Sequence, residues 1–181
     1  MNTLGLCLFD TALGPCGIAW GEAGLTGVQL PEADAAATRA RMRARFPGVD
    51  EIEPPAEVRD AIARIVAALR GEPDDLRSLR LDMQGIGPFQ RRVYELLRAL
   101  PYGATTTYGE LAARLGEPGA SRAVGRALGD NPFAPVVPCH RVLAAGRRSG
   151  GFSAGGGVAT KLRMLAIERA RFGEQPGLFD D

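Results

Sequence analysis

The chain's only histidine, His140, directly follows Cys139 inside the stretch NPFAPVVPCHRV, residues 131–142. A thiol beside an imidazole invites nucleophilic chemistry, because the thiolate is the reactive form and a nearby base can take its proton. Adjacency itself works against direct contact, since neighbouring side chains point to opposite faces of a strand and lie about 100° apart on a helix. A bridging water or a strongly bent backbone is then required. Pro135 and Pro138 stiffen the segment and bias Ala134 and Val137 towards extended conformations. The plain alternative is a buried cysteine with an incidental histidine. A cysteine hydrolase would need a remote histidine, and the sequence holds no second one. With one histidine and no close cysteine pair the ligand count for zinc also fails, so neither metal nor cofactor is expected. Cys7 and Cys16 sit among Leu, Phe, Ile and Gly and read as buried, inert thiols. Three cysteines at irregular spacing do not make a disulfide framework.

The elements that must position this segment follow from the pattern around it. LGLCLFD, IAW and LTGVQL, separated by glycine-containing turns, predict a small antiparallel sheet. PEADAAATRARMRARF predicts a helix ended by Pro47 and Gly48. Val58, Ile62, Ile65, Val66 and Leu69 mark one face of a second helix, stopped by Gly71. Leu79–Met83 reads as a last strand or a linker. A composition shift near Gln84–Pro88 opens a second unit, in which Phe89, Val93, Leu96, Leu97 and Leu100 repeat the helical spacing. Thr107 and Glu110 match a capping box at the start of a short helix. A second short helix, SRAVGRALG, follows across a glycine-containing turn, with Val124 and Leu128 on its inner face. Together the two suggest a helix-turn-helix. A final helix places Val158, Leu162 and Leu165 on its packed side.

Charge separates the same two regions. Residues 1–84 carry 9 Lys and Arg against 13 Asp and Glu, whereas residues 85–172 carry 13 against 5. A basic half inside a chain of net charge +1 is what a polyanion-binding surface requires. No apolar run approaches a membrane span and no basic–apolar leader opens the chain, so a cytoplasmic protein, monomeric and without membrane contact, is expected.

PVVPCHRV, together with TTTYGELA, ASRAVGRALGDNP and the later GGFSAGGG and KLRMLAIE, resembles the signature of the O6-alkylguanine-DNA alkyltransferases. The resemblance covers about residues 85–170. The N-terminal half resembles the family's smaller domain loosely, through FDTALGPCGIAWGEAGL. It implies an α/β chain of two domains: a ribonuclease-H-like sheet-plus-helix domain over 1–83 and a mainly α, winged-helix-like domain over 84–172, followed by a tail at 173–181. Cys139 would accept the alkyl carbon from guanine O6, once and irreversibly. His140 would take the thiol proton through a water, oriented by Glu168, and Tyr108 would donate to the departing base. The carbonyls of Cys139 and Val142 would bind the guanine amino group, with Asn131, Pro138, Phe152 and Ser153 completing the pocket. O4-alkylthymine is a further candidate substrate.

A stacked base is out of reach of a buried thiol, so the nucleotide must be flipped out. By the resemblance, Arg122 would fill the vacated stack in double-stranded DNA, with Ala123, Gly125 and Arg126 against the minor groove. Phe152 and Ala154 depart from the family's frequent Tyr and Gly. Taken without the resemblance, Glu168 reads as an exposed helical carboxylate, Tyr108 as a helix-start packing residue and Asn131 as a turn former. The alternative function is a helix-turn-helix lesion sensor or regulator that binds without alkyl transfer. In the tail, Gln175, Leu178 and Phe179 look like a peptide motif that binds replication sliding clamps.

Overall fold

A computed structural model describes residues 2–170. The first thirty residues form an antiparallel meander of β1 (Thr3–Thr11), β2 (Gly14–Gly21) and β3 (Gly24–Gln29), with Cys7 opposite Ile18 and Phe9 opposite Cys16. Five consecutive residues of β2 are buried because the sheet is covered on both faces. One face packs Leu6 and Ala19 on Met42 of α1 (Ala35–Arg45), and the other sends Cys16, Ile18 and Trp20 into the main core. Gly17 permits the close approach of α1, since a Cβ there would stand 2.5 Å from Met42 Cγ.

Both sheet edges are closed by irregular chain. Leu6 exchanges backbone hydrogen bonds with Asp50 and Ile52, while Val28 N–H donates to Pro132 O at 2.8 Å. Leu79–Met83 is a linker that meets β3 through a single bridge, Leu25 to Leu81, rather than a full strand.

The second helix, α2 (Ala56–Ala68), is buried along Val58, Ala61, Ile65 and Ala68, with Leu69 just beyond its end. Ile62 and Val66, expected on that face, are half-buried. The tight packing selects alanine on the inward line and rotates the stripe towards it. In α3 (Pro88–Arg98) the buried residues are Val93, Tyr94 and Leu97, and Tyr94 Oη donates to Ala127 O at 2.8 Å. Phe89 and Leu96 flank this face half-buried.

Thr107 caps α4 (Tyr108–Arg114) as a reciprocal box: its Oγ1 accepts from Glu110 N–H at 3.1 Å and its N–H donates to the Glu110 carboxylate at 2.8 Å. Helix α5 (Ser121–Gly129) follows across a turn, and α6 (Gly157–Ile167) closes the described chain. A short parallel pair, β4 (Thr106–Thr107) with β5 (Val142–Leu143), sets the start of α4 beside the chain leaving Cys139. The result is a mixed α/β fold with two small sheets and six α-helices among the described residues. None of its helices is long and apolar enough to cross a membrane.

Candidate active site

The proline-framed stretch turns inward. Phe133, Val136 and Val137 are core residues, and the chain then tightens into one 3-10 turn, Cys139–Arg141. Cys139 N–H donates back to Val137 O at 2.8 Å, and Arg141 N–H to Pro138 O at 3.0 Å. Three residues per turn spread successive side chains by about 120°, so Cys139 and His140 face different surroundings. Cys139 Sγ receives a hydrogen bond from Asn131 Nδ2 at 3.2 Å. His140 Nε2 lies 2.8 Å from Glu168 Oε1, while its Nδ1 is buried without a hydrogen-bond partner. A buried ring nitrogen without a partner is costly.

Glu168, the residue after α6, serves two partners. Arg141 donates through Nε to Oε2 at 2.8 Å and through Nη2 to Oε1 at 2.9 Å, and Nη1 reaches the carbonyls of Leu100 and Pro101. Burial opposes its charge, yet hydrogen bonds from His140 and Arg141, together with the Arg141 charge, hold the carboxyl at about 2. Burial holds His140 below its ordinary value, so the ring is neutral despite Glu168.

Burial also pushes the Cys139 thiol up. The Asn131 amide, the charge of Lys161 and the backbone N–H groups of Cys139 and His140 pull it back. Lys161 is fully buried, donating to Val142 O at 2.6 Å and to Gly151 O at 3.3 Å. Burial lowers Lys161 in turn, and charge at Cys139 raises it, so with Arg141 and Glu168 cancelling each other the ammonium and an ionised sulfur would each favour the other. Sequence reasoning missed Lys161. Its signal was the shared face of Lys161, Leu165 and Glu168 at i, i+4 and i+7. Val158, expected to be packed, is instead 39% exposed, because α6 turns the Lys161–Met164–Leu165 side inward.

Two adjoining depressions share Cys139. One, of about 280 Å³, is walled by Tyr108, Gly125, Leu128, Phe152 and Ser153. The other, of about 320 Å³, runs from the sulfur past Asn131 towards Gln29, Arg41 and Arg45 of the N-terminal half. Burial and then the charge at Cys139 raise Tyr108, so its hydroxyl stays protonated as a donor. Ser153 Oγ donates to Gly129 O at 3.3 Å. On α5, Arg122 and Arg126 are exposed, while Ala123 and Gly125 are half-buried, Gly125 lining the smaller depression. Pro138 is buried behind Cys139. The carbonyl of Cys139 accepts from Val142 N–H and that of Val142 from Lys161, each keeping a second lone pair. Cys139, Tyr108, Asn131, Phe152 and Ser153 thus converge on the two depressions, His140 and Glu168 form a buried pair outside their linings, and Arg122 and Arg126 stand outside on the α5 surface. Gln175, Leu178 and Phe179 lie outside the described residues.

A protein of Mycolicibacterium paratuberculosis named methylated-DNA–protein-cysteine methyltransferase is 44% identical over 128 residues, covering 71% of this chain and 75% of that protein. The chain belongs to the methylated-DNA–protein-cysteine methyltransferases. The profile described as the DNA-binding domain of 6-O-methylguanine DNA methyltransferase matches residues 88–170, the span that holds Tyr108, α5, Cys139 and Glu168. The crystal structure of the Mycobacterium tuberculosis O6-methylguanine methyltransferase superimposes with a TM-score of 0.70 at 34% identity, covering 97% of this chain and 99% of that one. A structure of the same organism's OGT in complex with DNA gives 0.71 at 32% identity, covering 94% and 96%. The methyltransferase fold therefore extends through the N-terminal half, which the profile leaves unmatched.

Proposed function

We propose that this methyltransferase repairs O6-alkylguanine in double-stranded DNA by moving the alkyl group to Cys139. The reading is carried by one observation: a buried thiol with three kinds of hydrogen-bonding or charge support lies on the floor of a cavity beside α5. The flipped guanine occupies the space between Tyr108 and the Phe152–Ser153 loop. Neutral His140 takes the thiol proton at Nδ1 through a water, and Glu168 holds the ring by Nε2. The sulfur attacks the alkyl carbon, the carbon–O6 bond breaks and its electron pair goes to the base. Tyr108 donates a proton as O6 gains charge, and the proton taken from the thiol makes good the balance. The carbonyls of Cys139 and Val142 face the guanine amino group, and Pro138 and Asn131 hold the sulfur in line. The product thioether has no easy leaving group, so one molecule repairs one lesion.

Several finer assignments complete the reading. Residues 1–83 form a ribonuclease-H-like unit and 84–172 a winged-helix-like one, supported by the antiparallel meander and by the α4–α5 pair with its short β4–β5 ladder. Helix α5 enters the minor groove with Arg122 in the vacated stack and Ala123, Gly125 and Arg126 at the backbone. The protein acts as a cytoplasmic monomer. O4-alkylthymine is a further candidate substrate, and the segment Gln175–Phe179 recruits a sliding clamp, for which equal clamp capture by a tail-truncated form would be the contrary result.

Incubation with an oligonucleotide carrying O6-methylguanine, followed by intact mass and peptide mapping, tests the main reading. A single methyl on the Cys139 peptide, saturating at one equivalent, is expected. Lesion binding without mass gain would instead make the protein a sensor.

A further inference from the structure

The N-terminal half holds the segment that leads to the reactive sulfur partly through a side chain of α1. Arg45, the last residue of α1, divides its guanidinium between two carriers. Nη1 donates to Val28 O at 3.2 Å and to Gln29 Oε1 at 2.9 Å, both on β3. Nη2 crosses to Pro132 O at 3.0 Å. The same carbonyl accepts Val28 N–H, so Pro132, the neighbour of Asn131, is held both by the sheet edge and by Arg45. Asn131 then spends its side chain locally. Its Oδ1 accepts from Phe133 N–H at 3.0 Å, and its Nδ2 donates to Val137 O at 2.9 Å and to Cys139 Sγ at 3.2 Å.

The sequence makes space for this tether. A Cβ at position 27 would stand 2.7 Å from Arg45 Nη2, so Gly27 leaves the guanidinium room to lie on β3. The fork geometry matters as well, because the guanidinium offers one nitrogen to Val28 and Gln29 and another to Pro132, whereas a lysine's three N–H groups all radiate from a single point and lack that fixed two-ended reach.

We propose that Arg45 is a positioning residue for alkyl transfer: by fixing Pro132 to β3 it holds the Asn131 amide on the Cys139 sulfur. The sulfur's hydrogen bond favours the thiolate, so the sheet half of the molecule sets the reactivity of a thiol in the other half. This assigns the N-terminal unit a part in the chemistry beyond packing. It rests on Cys139 being the alkyl acceptor, and the test separates the two ideas.

Arg45→Met, Arg45→Lys, Asn131→Ala and the double variant R45M/N131A are compared with Arg98→Met. Arg98 also ties the two halves, through Nη2 to the carbonyls of Arg77 and Leu79, but has no link to Asn131. Two rates are read against pH: methyl transfer from an O6-methylguanine duplex, and modification of Cys139 by iodoacetamide, located by peptide mass. Loss of one hydrogen bond to an ionised group corresponds to a slowing of about tenfold at neutral pH.

Both Arg45 variants should show that slowing and carry the limb of the iodoacetamide profile to higher pH. R45M/N131A should be no slower than N131A, and R98M should lower the melting temperature with the profile unmoved. Wild-type behaviour of R45K, additive losses in the double variant, or an equal profile shift in R98M would each overturn the assignment. Where R45M does not fold, R45K decides by the same criteria. A wild-type protein that transfers no methyl, while its Arg45 variants still shift the iodoacetamide profile, would remove the function and leave the positioning role standing.

Discussion

Cys16 and Cys139 are both buried thiols, one on a sheet strand and one on a 3-10 turn, and burial raises both. Cys16 has a single helper, the Thr11 hydroxyl at 3.6 Å, and is pushed up to about 12. Cys139 has an amide donor, two backbone N–H groups and a buried ammonium, and it opens on two depressions. Cys7, half-buried near Glu51 and Glu53, is pushed up to about 11 by burial and then by those charges. Desolvation alone silences a thiol; reactivity needs donors aimed at the sulfur and a space for the electrophile.

The strongest challenge to that contrast removes the sulfur. Cys139→Ser is expected to abolish methyl transfer, while Cys7→Ser and Cys16→Ser keep one methyl per molecule, all read by intact mass. Next comes the carboxylate behind His140. Glu168→Gln leaves Arg141 buried without its ion and His140 without its orienter, and transfer should slow about a hundredfold.

The same carboxylate has a signature in acid. Its folded value of about 2 lies below the ordinary 4.5, so the stabilisation is complete above pH 4.5 and is lost as pH falls through about 2. The difference corresponds to roughly 3 kcal/mol. Acid unfolding of wild type and E168Q should therefore converge towards pH 2, whereas near-equal stability at pH 7 would count against the pairing.

A smaller step makes Cys139 resemble Cys16. Lys161→Met removes the counter-charge and the bonds to Val142 and Gly151 while keeping apolar volume. Transfer at neutral pH should slow about tenfold, and the thiol should titrate higher in an iodoacetamide profile. An unchanged profile would show that the ammonium only packs. The smallest effect is expected at the cap of α4: Thr107→Ala should cost about 1 kcal/mol in denaturant unfolding and leave the thiol's titration where it was.

Local pattern was readable wherever it rests on neighbours in the chain. The Thr107–Glu110 box, the two glycine-punctuated hairpins and the helices beginning near Ala56 and Pro88 depend on contacts a few residues apart. The α2 stripe was read one step off because alanines, which carry weak hydrophobic signal, take the inward line at Ala61 and Ala68. On α6 the reading failed at Val158 for a related reason. The inward line there includes a lysine and precedes a glutamate, and polar residues count against burial in any periodicity argument.

By itself the sequence determined which atoms could react. One thiol stands in a proline-stiffened frame with the only imidazole next to it, a basic half surrounds it, and the family signature spans the same residues. Tertiary structure alone decided how that thiol is held: Asn131 on its sulfur, Lys161 beneath the loop, Glu168 shared between His140 and Arg141, and Arg45 reaching over from the sheet. Apart from the local Asn131–Cys139 contact, these are pairings between polar groups far apart along the chain. Their partners are set by where packed elements meet, and they leave no period in the sequence to be read.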